Sequence, residues 1–221
     1  MPVSSDDPTP LRRARRPRGS LTPDAILDAA ESVAQEGFDA LTMRAVATRL
    51  GAVPMALYNH FADKDTLVDA MLSRVLLRFA PDPPTGDWVA DLRAFARAHR
   101  RLLVDHPWAV SPLFTRPNPG IGAVIIGEHA LGILRRGGLS DPDAIAAFSG
   151  VIALNYGWSS FTTARDLDPG GQSHQVTEML SRLPRERFPL VVETAAEMGA
   201  YGSDEHYELV LGALVSGFAA R

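Results

Sequence analysis

Along almost the whole chain, apolar residues recur at the three- and four-residue spacing of an amphipathic α-helix. In the first such stretch, Thr22 and Pro23 have the residue types of an N-cap and a first helical position, and Gly37 is expected to end the helix. Thr42 is the predicted N-cap of a second helix, which Gly51 ends. The pattern therefore predicts two short helices with a tight connection near the start of the chain.

A third helix is predicted from about Val53 to His60, and it is only about two turns long. Val53, Leu57 and Phe61 are spaced i, i+4, i+8, so the pattern places them together against the first two helices. The opposite face is large, partly polar and turned away from the core. Its residues are Pro54, Met55, Tyr58, Asn59 and His60. Such a face indicates a binding partner outside the chain.

A fourth helix, capped by Asp63, is expected to run to about residue 80, where the segment PDPPTG breaks the chain. The Pro-rich segment 106–120 is expected to form short helical turns at most, and the polar segment 165–187 a loop. The pattern predicts further helices at 88–105, 121–136, 141–164, 188–199 and 203–219. No strand pattern competes, so the fold class is predicted to be all-α.

Charge is unevenly distributed along the 221-residue chain, whose net charge is −4. Residues 1–80 hold as many basic as acidic residues, and residues 81–221 carry the whole acidic excess. Residues 1–20 are rich in Pro and Ser and are expected to be a disordered arm, in which five arginines fall between positions 12 and 18. This arm is equally consistent with a solvated tail and with a segment that follows a DNA backbone or minor groove.

Several kinds of chemistry find no support in the residue pattern. The absence of Cys excludes disulfides and suits a cytoplasmic protein, and no apolar run is long enough to span a membrane. His99 and His106 are seven residues apart and could share a helix face, but neither has a carboxylate placed beside it. No phosphate-binding loop or nucleophile elbow is present. We therefore expect no metal, no cofactor and no enzymatic activity.

The second and third predicted helices have the spacing of a helix-turn-helix, in which one helix braces and the next presents its outer residues to base edges in the major groove. An ordinary helical hairpin with an exposed face would show the same spacing. The neighbouring residues favour the DNA-binding interpretation. Thr42 and Arg44 begin the bracing helix and Lys64 begins the fourth, and all three are placed to contact phosphate.

The stretch ILDAAESVAQEGFDALTMRAVATRLGAVPMALYNHFADKDTLVDAML resembles the DNA-binding head of the tetracycline repressor (TetR) family of bacterial transcription regulators. The resemblance covers residues 22–75. It implies a head at 21–80, with the fourth helix joining it to a helical ligand-binding and dimerisation domain at 81–221. It also implies that the residues at the DNA are Arg44, Pro54, Met55, Tyr58, Asn59, His60 and Lys64, with Thr42 as a cap beside the phosphate.

The family resemblance further implies a homodimer whose reading helices lie roughly 34–36 Å apart on a palindromic operator. The predicted interface is formed by helices near 142–164 and 203–219. The first is apolar almost all round, and the second carries an apolar stripe at Tyr207, Val210, Leu211, Leu214 and Phe218. The alternative is that both helices lie inside one subunit.

A looser resemblance links the second half to the carboxyl-terminal domain of the tetracycline repressor branch, through DWVADLRAFARAHRRLLVDHPW, FTRP and YELVLGALVSGF. It implies an effector cavity between helices. The candidate lining residues are Trp88, Phe95, His99, Trp108, Phe114, Asn155, Trp158 and Phe161. For each aromatic residue, plain core packing is the alternative.

The chain departs from tetracycline repressor at the polar residues that hold the magnesium–drug chelate. Phe95 stands at the position of an Asn, Pro112 at that of a His, and Phe79 near that of a second His. Because the charged chelate would lack partners, we expect a more apolar effector. The sequence leaves open whether the effector releases or promotes DNA binding. The competing function is a small-molecule binding or sequestering protein with a vestigial head.

Overall fold

The structure, a computed structural model, describes residues 21–116, 120–166 and 171–220, without the side chains of 163–166 and 171–172. Every regular element in this part of the chain is a helix, which confirms the predicted fold class. The predicted arm, residues 1–20, lies outside it. The helices are α1 (Pro23–Gln35), α2 (Met43–Leu50), α3 (Pro54–Tyr58), α4 (Lys64–Leu76), α5 (Trp88–Asp105), α6 (Pro107–Thr115), α7 (Ile121–Arg136), α8 (Asp141–Asp166), α9 (Gly171–Ser181), α10 (Pro189–Glu193), α11 (Ala195–Gly199) and α12 (Asp204–Ala219).

The chain separates into two compact units between Leu67 and Val68, inside α4. We call them the head unit, up to Leu67, and the body unit, from Val68 onward. The boundary near residue 80 that the sequence predicts stays a prediction.

The head unit is built from α1 to α3 and the first turn of α4. Thr22 caps α1, since its Oγ1 accepts a hydrogen bond from the Ala25 N–H over 3.2 Å. Helix α2 packs against both α1 and α3. The small core consists of fully buried apolar side chains, among them Ile26, Ala30, Leu41, Val46 and Leu57.

Helix α8 is the central element of the body unit, because α5, α6, α7 and α12 all pack against it. The nearly continuous apolar pattern of this helix is typical of a position with neighbours on several sides. Val151 and Asn155 of α8 are completely buried. Helices α9, α10 and α11 form a smaller cluster, in which α11 packs on α9.

The structure differs from the predicted elements in three places. Segment 106–120 contains a nine-residue helix, α6, in which burial of Trp108 and Leu113 offsets the hydrogen bond that Pro112 cannot donate. Part of the predicted loop 165–187 is helix α9. The predicted helix 188–199 is divided into α10 and α11 at Thr194, whose backbone leaves the helical region.

Candidate nucleic-acid interface and ligand cavity

The connection between α2 and α3 is set by local backbone chemistry. Thr42 Oγ1 accepts a hydrogen bond from the Ala45 N–H over 3.0 Å, which confirms the predicted cap of α2. Gly51 ends α2 in the left-handed region, with φ at +64°, a conformation that glycine adopts without strain. Pro54 then occupies the first position of α3. The chain therefore turns between two short helices within a few residues.

An arginine fastens α2 to α1, a role that the sequence pattern does not indicate. Arg49 donates to Ser32 Oγ over 2.5 Å and also pairs with Glu36, so one residue of α1 and the residue that follows it hold the end of α2. Val46 and Ala47 of α2 are buried. The spacing of Glu36 and Arg49 along the sequence does not predict this ion pair, because the two residues come together only when α1 and α2 pack against each other.

The outer face of α3 is exposed, as its pattern predicts. Leu57 and Phe61 are buried, but Val53 is 67% exposed, so the prediction that Val53 packs in the core is wrong. The reason is that Val53 precedes the helix with an extended backbone and does not follow the helical phase. The exposed residues are Pro54, Met55, Tyr58, Asn59 and His60.

The three residues predicted to contact phosphate lie on the head unit in different environments. Thr42 and Arg44 are exposed at the start of α2. Lys64 is partly buried, and its ammonium lies 5.5 Å from the centre of the Phe38 ring, a cation–π distance. Thr42 Oγ1 accepts the cap hydrogen bond, so its hydroxyl hydrogen and the N–H groups of the first turn remain as donors for a phosphate oxygen.

In the body unit, aromatic rings from α5, α7, α8 and the segment after α4 pack into one cluster. Phe95 of α5 lies 5.4 Å from Phe79, 6.3 Å from His99 and 6.1 Å from His129, measured between ring centres. His99 in turn meets the edge of Tyr156 of α8 at 5.8 Å. Two of the eight residues predicted to line the cavity, Phe95 and His99, therefore lie side by side, and Phe79, His129 and Tyr156 were not predicted.

A fully buried polar triad borders this cluster. Asn155 Nδ2 donates to the Ala96 carbonyl at 2.9 Å and contacts His99 Nδ1 at 3.1 Å, while Asn155 Oδ1 accepts from the Tyr207 hydroxyl at 2.8 Å. Both amide hydrogens of Asn155 are thus used within the protein. Since His99 Nδ1 must accept, its proton lies on Nε2. Asn155 orients the imidazole, and His99 offers a donor.

Burial sets the protonation states in the triad. Desolvation lowers the pKa of His99 to about 4, so the imidazole is neutral near neutral pH. Burial likewise raises the pKa of Tyr207, which keeps its hydroxyl as a donor to Asn155. The triad therefore carries no formal charge.

Of the other predicted cavity residues, Asn155 contacts His99, whereas the remaining aromatic residues make their contacts elsewhere. Trp158 donates from Nε1 to the Ser203 carbonyl at 2.9 Å and forms a second ring cluster with Phe161 and Tyr207. Trp88 packs tightly against Gly137, where an added Cβ would lie 2.5 Å from the indole ring. Trp108 is buried in α6, and its indole N–H has no acceptor among the described residues.

An opening lies beside Tyr156, on the surface between α6 and α8. It has a volume of about 200 Å³, and Ser111, Phe114, Tyr156 and Ser160 line it. Phe114 is 68% exposed, and its ring centre lies 6.0 Å from that of Tyr156. Tyr156 thus touches both this opening and the buried His99.

The second half of α4 is tied to α6 and to the turns that flank it. Arg116, just after α6, donates to Asp69 over 2.7 Å, and His106, just before α6, contacts Arg78 over 2.7 Å. Gly122 of α7 allows a close approach, because an added Cβ would lie 2.9 Å from the Ser73 carbonyl oxygen. Arg116 and His106 therefore connect the two ends of α6 to Asp69 of α4 and to Arg78 just beyond the end of α4.

Helices α8 and α12 carry apolar side chains on two sides. Tyr207 and Leu211 are buried within the subunit, whereas Leu209, Val210 and Ile145 are exposed. The predicted interface stripe is thus divided: Tyr207 and Leu211 belong to the core of one subunit, and the apolar residues beside them face outward.

The described residues contain no group of three or more His, Asp or Glu side chains arranged to hold a metal ion. None of their helices combines the length and the apolar character needed to cross a bilayer.

Comparisons with known proteins match both units. Residues 26–71 match the family of bacterial regulatory proteins named tetR, and residues 80–221 match the tetracycline repressor-like C-terminal domain. A transcriptional regulator from Saccharopolyspora erythraea is 32% identical over 212 residues, 93% of this chain and 87% of that protein. The transcriptional repressor DrrR1 from Streptomyces coeruleorubidus is 37% identical over 142 residues, 63% of this chain and only 53% of its own length.

Among solved structures, the Streptomyces coelicolor TetR family protein ActR in complex with actinorhodin superimposes with a TM-score of 0.81. It is 28% identical in sequence, and the match covers 90% of this chain and 97% of ActR.

Proposed function

Because this chain belongs to the TetR family of bacterial transcription regulators, we propose that it is a homodimeric repressor released from a palindromic operator by a small, largely apolar effector. The family consists of transcription regulators, which are not enzymes. The observation that carries the proposal is the exposed outer face of α3, held by α2 through the capped and glycine-terminated turn.

In the proposed complex, α3 enters the major groove. Tyr58, Asn59 and His60 contact base edges or the neighbouring backbone, and Pro54 and Met55 supply apolar contact at the start of the helix. Thr42, Arg44 and Lys64 neutralise or bond phosphates.

The proposed dimer forms through the outward faces of α8 and α12. Ile145, Leu209 and Val210 are apolar and exposed in the isolated subunit, and burial of such side chains drives association. Two subunits then present two α3 helices to successive major grooves. The protein is proposed to act in the cytoplasm.

The proposed effector binds in the body unit, against the rings of Phe79, Phe95 and His129. The His99 Nε2–H would donate a hydrogen bond to a carbonyl or hydroxyl oxygen of the effector. An aromatic effector is consistent with the ring-lined interior and with actinorhodin, the compound that ActR holds. Asn155 is proposed to position His99. The remaining candidates for the wall of the effector cavity are Trp88, Trp108, Phe114, Trp158 and Phe161. Magnesium–tetracycline is not expected to bind.

Effector binding is proposed to displace α6 and, through Arg116 and His106, the second half of α4. Helix α4 is continuous from Lys64 to Leu76 and includes residues of both units. A ligand acts this way only if it binds the two states with different affinity.

The test is selection of bound fragments from random duplex DNA at low salt, followed by screening of aromatic compounds for release. We expect a palindromic sequence whose half-sites lie about one helical turn apart or a multiple of it. If no fragment is retained while an aromatic compound binds tightly, the sequestering function replaces the proposed one.

A further inference from the structure

A surface cleft in the body unit, separate from the opening beside Phe114, is lined by three arginines. It lies between α5 and the start of α12 and has a volume of about 300 Å³. Arg97, Arg100 and Arg101 are spaced i, i+3, i+4 on α5, so they share one helix face. The Tyr207 ring forms part of the wall.

Arg97 shows how an arginine in this cleft binds a carboxylate. Its Nε donates to one oxygen of Glu208 over 2.9 Å, and its Nη2 donates to the other over 2.7 Å. These two parallel bonds form the bidentate arrangement that guanidinium groups make with carboxylates. Glu208 therefore fills the Nε–Nη2 edge of Arg97.

The corresponding edge of Arg100 is only half filled. Nη2 donates to Asp204 over 2.5 Å and to Thr162 over 3.1 Å, but the buried Nε has no acceptor among the described residues. The Arg100 guanidinium is held in place, since it lies 4.3 Å from the Tyr207 ring centre and only 13% of the side chain is exposed. A second carboxylate oxygen would complete this edge.

The acidic partner of Arg100 is much freer than Arg100 itself. The Asp204 side chain is 83% exposed and begins α12, so its carboxylate can turn into solvent at little cost. Arg101 adds positive charge, because its nearest acid, Asp82, is 4.0 Å away and both side chains are mostly exposed. Three acidic groups line the cleft and oppose an incoming anion: Asp105, Asp204 and Glu208, the last of which is paired with Arg97.

We propose that this cleft is a binding site for a small organic carboxylate, which displaces Asp204 and pairs with the Nε–Nη2 edge of Arg100. Arg101 supplies long-range attraction, and Val104 contacts the apolar part of the ligand. The site does not depend on the proposed DNA-binding function. Its ligand would bind the Arg100 guanidinium, which lies over the buried Tyr207 ring, and the Tyr207 hydroxyl donates to Asn155.

The test is calorimetric titration of the full chain, without DNA, with benzoate and with its neutral analogue benzamide. We expect benzoate to bind and benzamide to bind at least about tenfold more weakly, since a charge-assisted bidentate contact is lost. Equal affinity for the two compounds would overturn the proposal, as would inorganic phosphate that binds more tightly than benzoate.

Four variants locate the site. Asp204→Asn removes the competing acid and should tighten benzoate binding by about threefold, whereas Arg101→Gln should weaken it and Arg135→Gln, an exposed arginine on α7, should leave it unchanged. Arg100→Gln should abolish binding if the variant folds. Unchanged affinity in both Asp204→Asn and Arg101→Gln would place benzoate elsewhere and overturn the proposal, whatever the fate of Arg100→Gln.

Discussion

Acidification should destabilise this protein through His99, which is 1% exposed and neutral in the folded chain. Burial lowers its pKa to about 4, while an unfolded chain restores a pKa of about 6.5. Between these two values the unfolded state binds more protons than the folded state. The free energy of unfolding therefore falls as the pH decreases through this range.

The linkage relation sets the size of the effect. With a pKa of about 4 in the folded chain and about 6.5 in the unfolded chain, the free energy of unfolding falls by about 2 kcal/mol between about pH 7.5 and about pH 5. Most of this loss occurs below about pH 6.5, where the unfolded imidazole becomes protonated.

The assay is urea unfolding at a series of pH values and one fixed protein concentration, because the stability of the proposed dimer would depend on concentration. His99→Gln removes the titratable ring and keeps a carbonyl that can accept from Asn155. The variant should lack the loss of about 2 kcal/mol, whereas His60→Gln, at an exposed site beyond α3, should retain it. If His99→Gln loses as much stability on acidification as the wild type, the buried neutral imidazole is not the cause.

Three further substitutions test other parts of the structure by urea unfolding. Thr42→Ala should lower the free energy of unfolding by about 1 kcal/mol through loss of the α2 cap, whereas Thr42→Ser, which keeps a capping hydroxyl, should retain most of the wild-type stability. Gly122→Ala should lower the free energy of unfolding by about 1–3 kcal/mol, because the added Cβ would lie 2.7 Å from Leu76 Cβ. Gly132→Ala on the same helix has room for a Cβ and should be neutral or stabilising. Tyr207→Phe should cost about 1–2 kcal/mol, because Asn155 Oδ1 loses its donor. Equal stability of the Gly122 and Gly132 variants would contradict the close packing of α7, and a neutral Tyr207→Phe would contradict the triad.

The sequence predicts well those elements whose signals are local. The caps at Thr22 and Thr42, the stop at Gly51 and the bounds of α5 and α7 follow from residue types within one or two turns. The sequence does not predict helix α6, because it contains two prolines, which disfavour a helix. The helix is stabilised by burial of its apolar residues against α8, a contact that exists only in the folded chain.

The interior of the body unit was only partly predictable. Phe95 and His99 were identified one turn apart on α5, but Tyr207 was assigned to the dimer interface, and its bond to Asn155 joins residues distant in sequence. The half-filled edge of Arg100 likewise depends on the position of Asp204, which the sequence pattern does not supply. Long-range pairs of this kind require the packing of α5, α8 and α12 to be known.

The most direct test of the account is the affinity of Tyr58→Ala for the selected operator, measured by fluorescence anisotropy beside the wild type. Tyr58 is on the outer face of α3, and Tyr201→Ala, an exposed tyrosine in the body unit, is the matched control. We predict that Tyr58→Ala weakens specific binding by about tenfold or more while Tyr201→Ala retains it. Wild-type affinity in Tyr58→Ala would contradict the claim that α3 reads DNA.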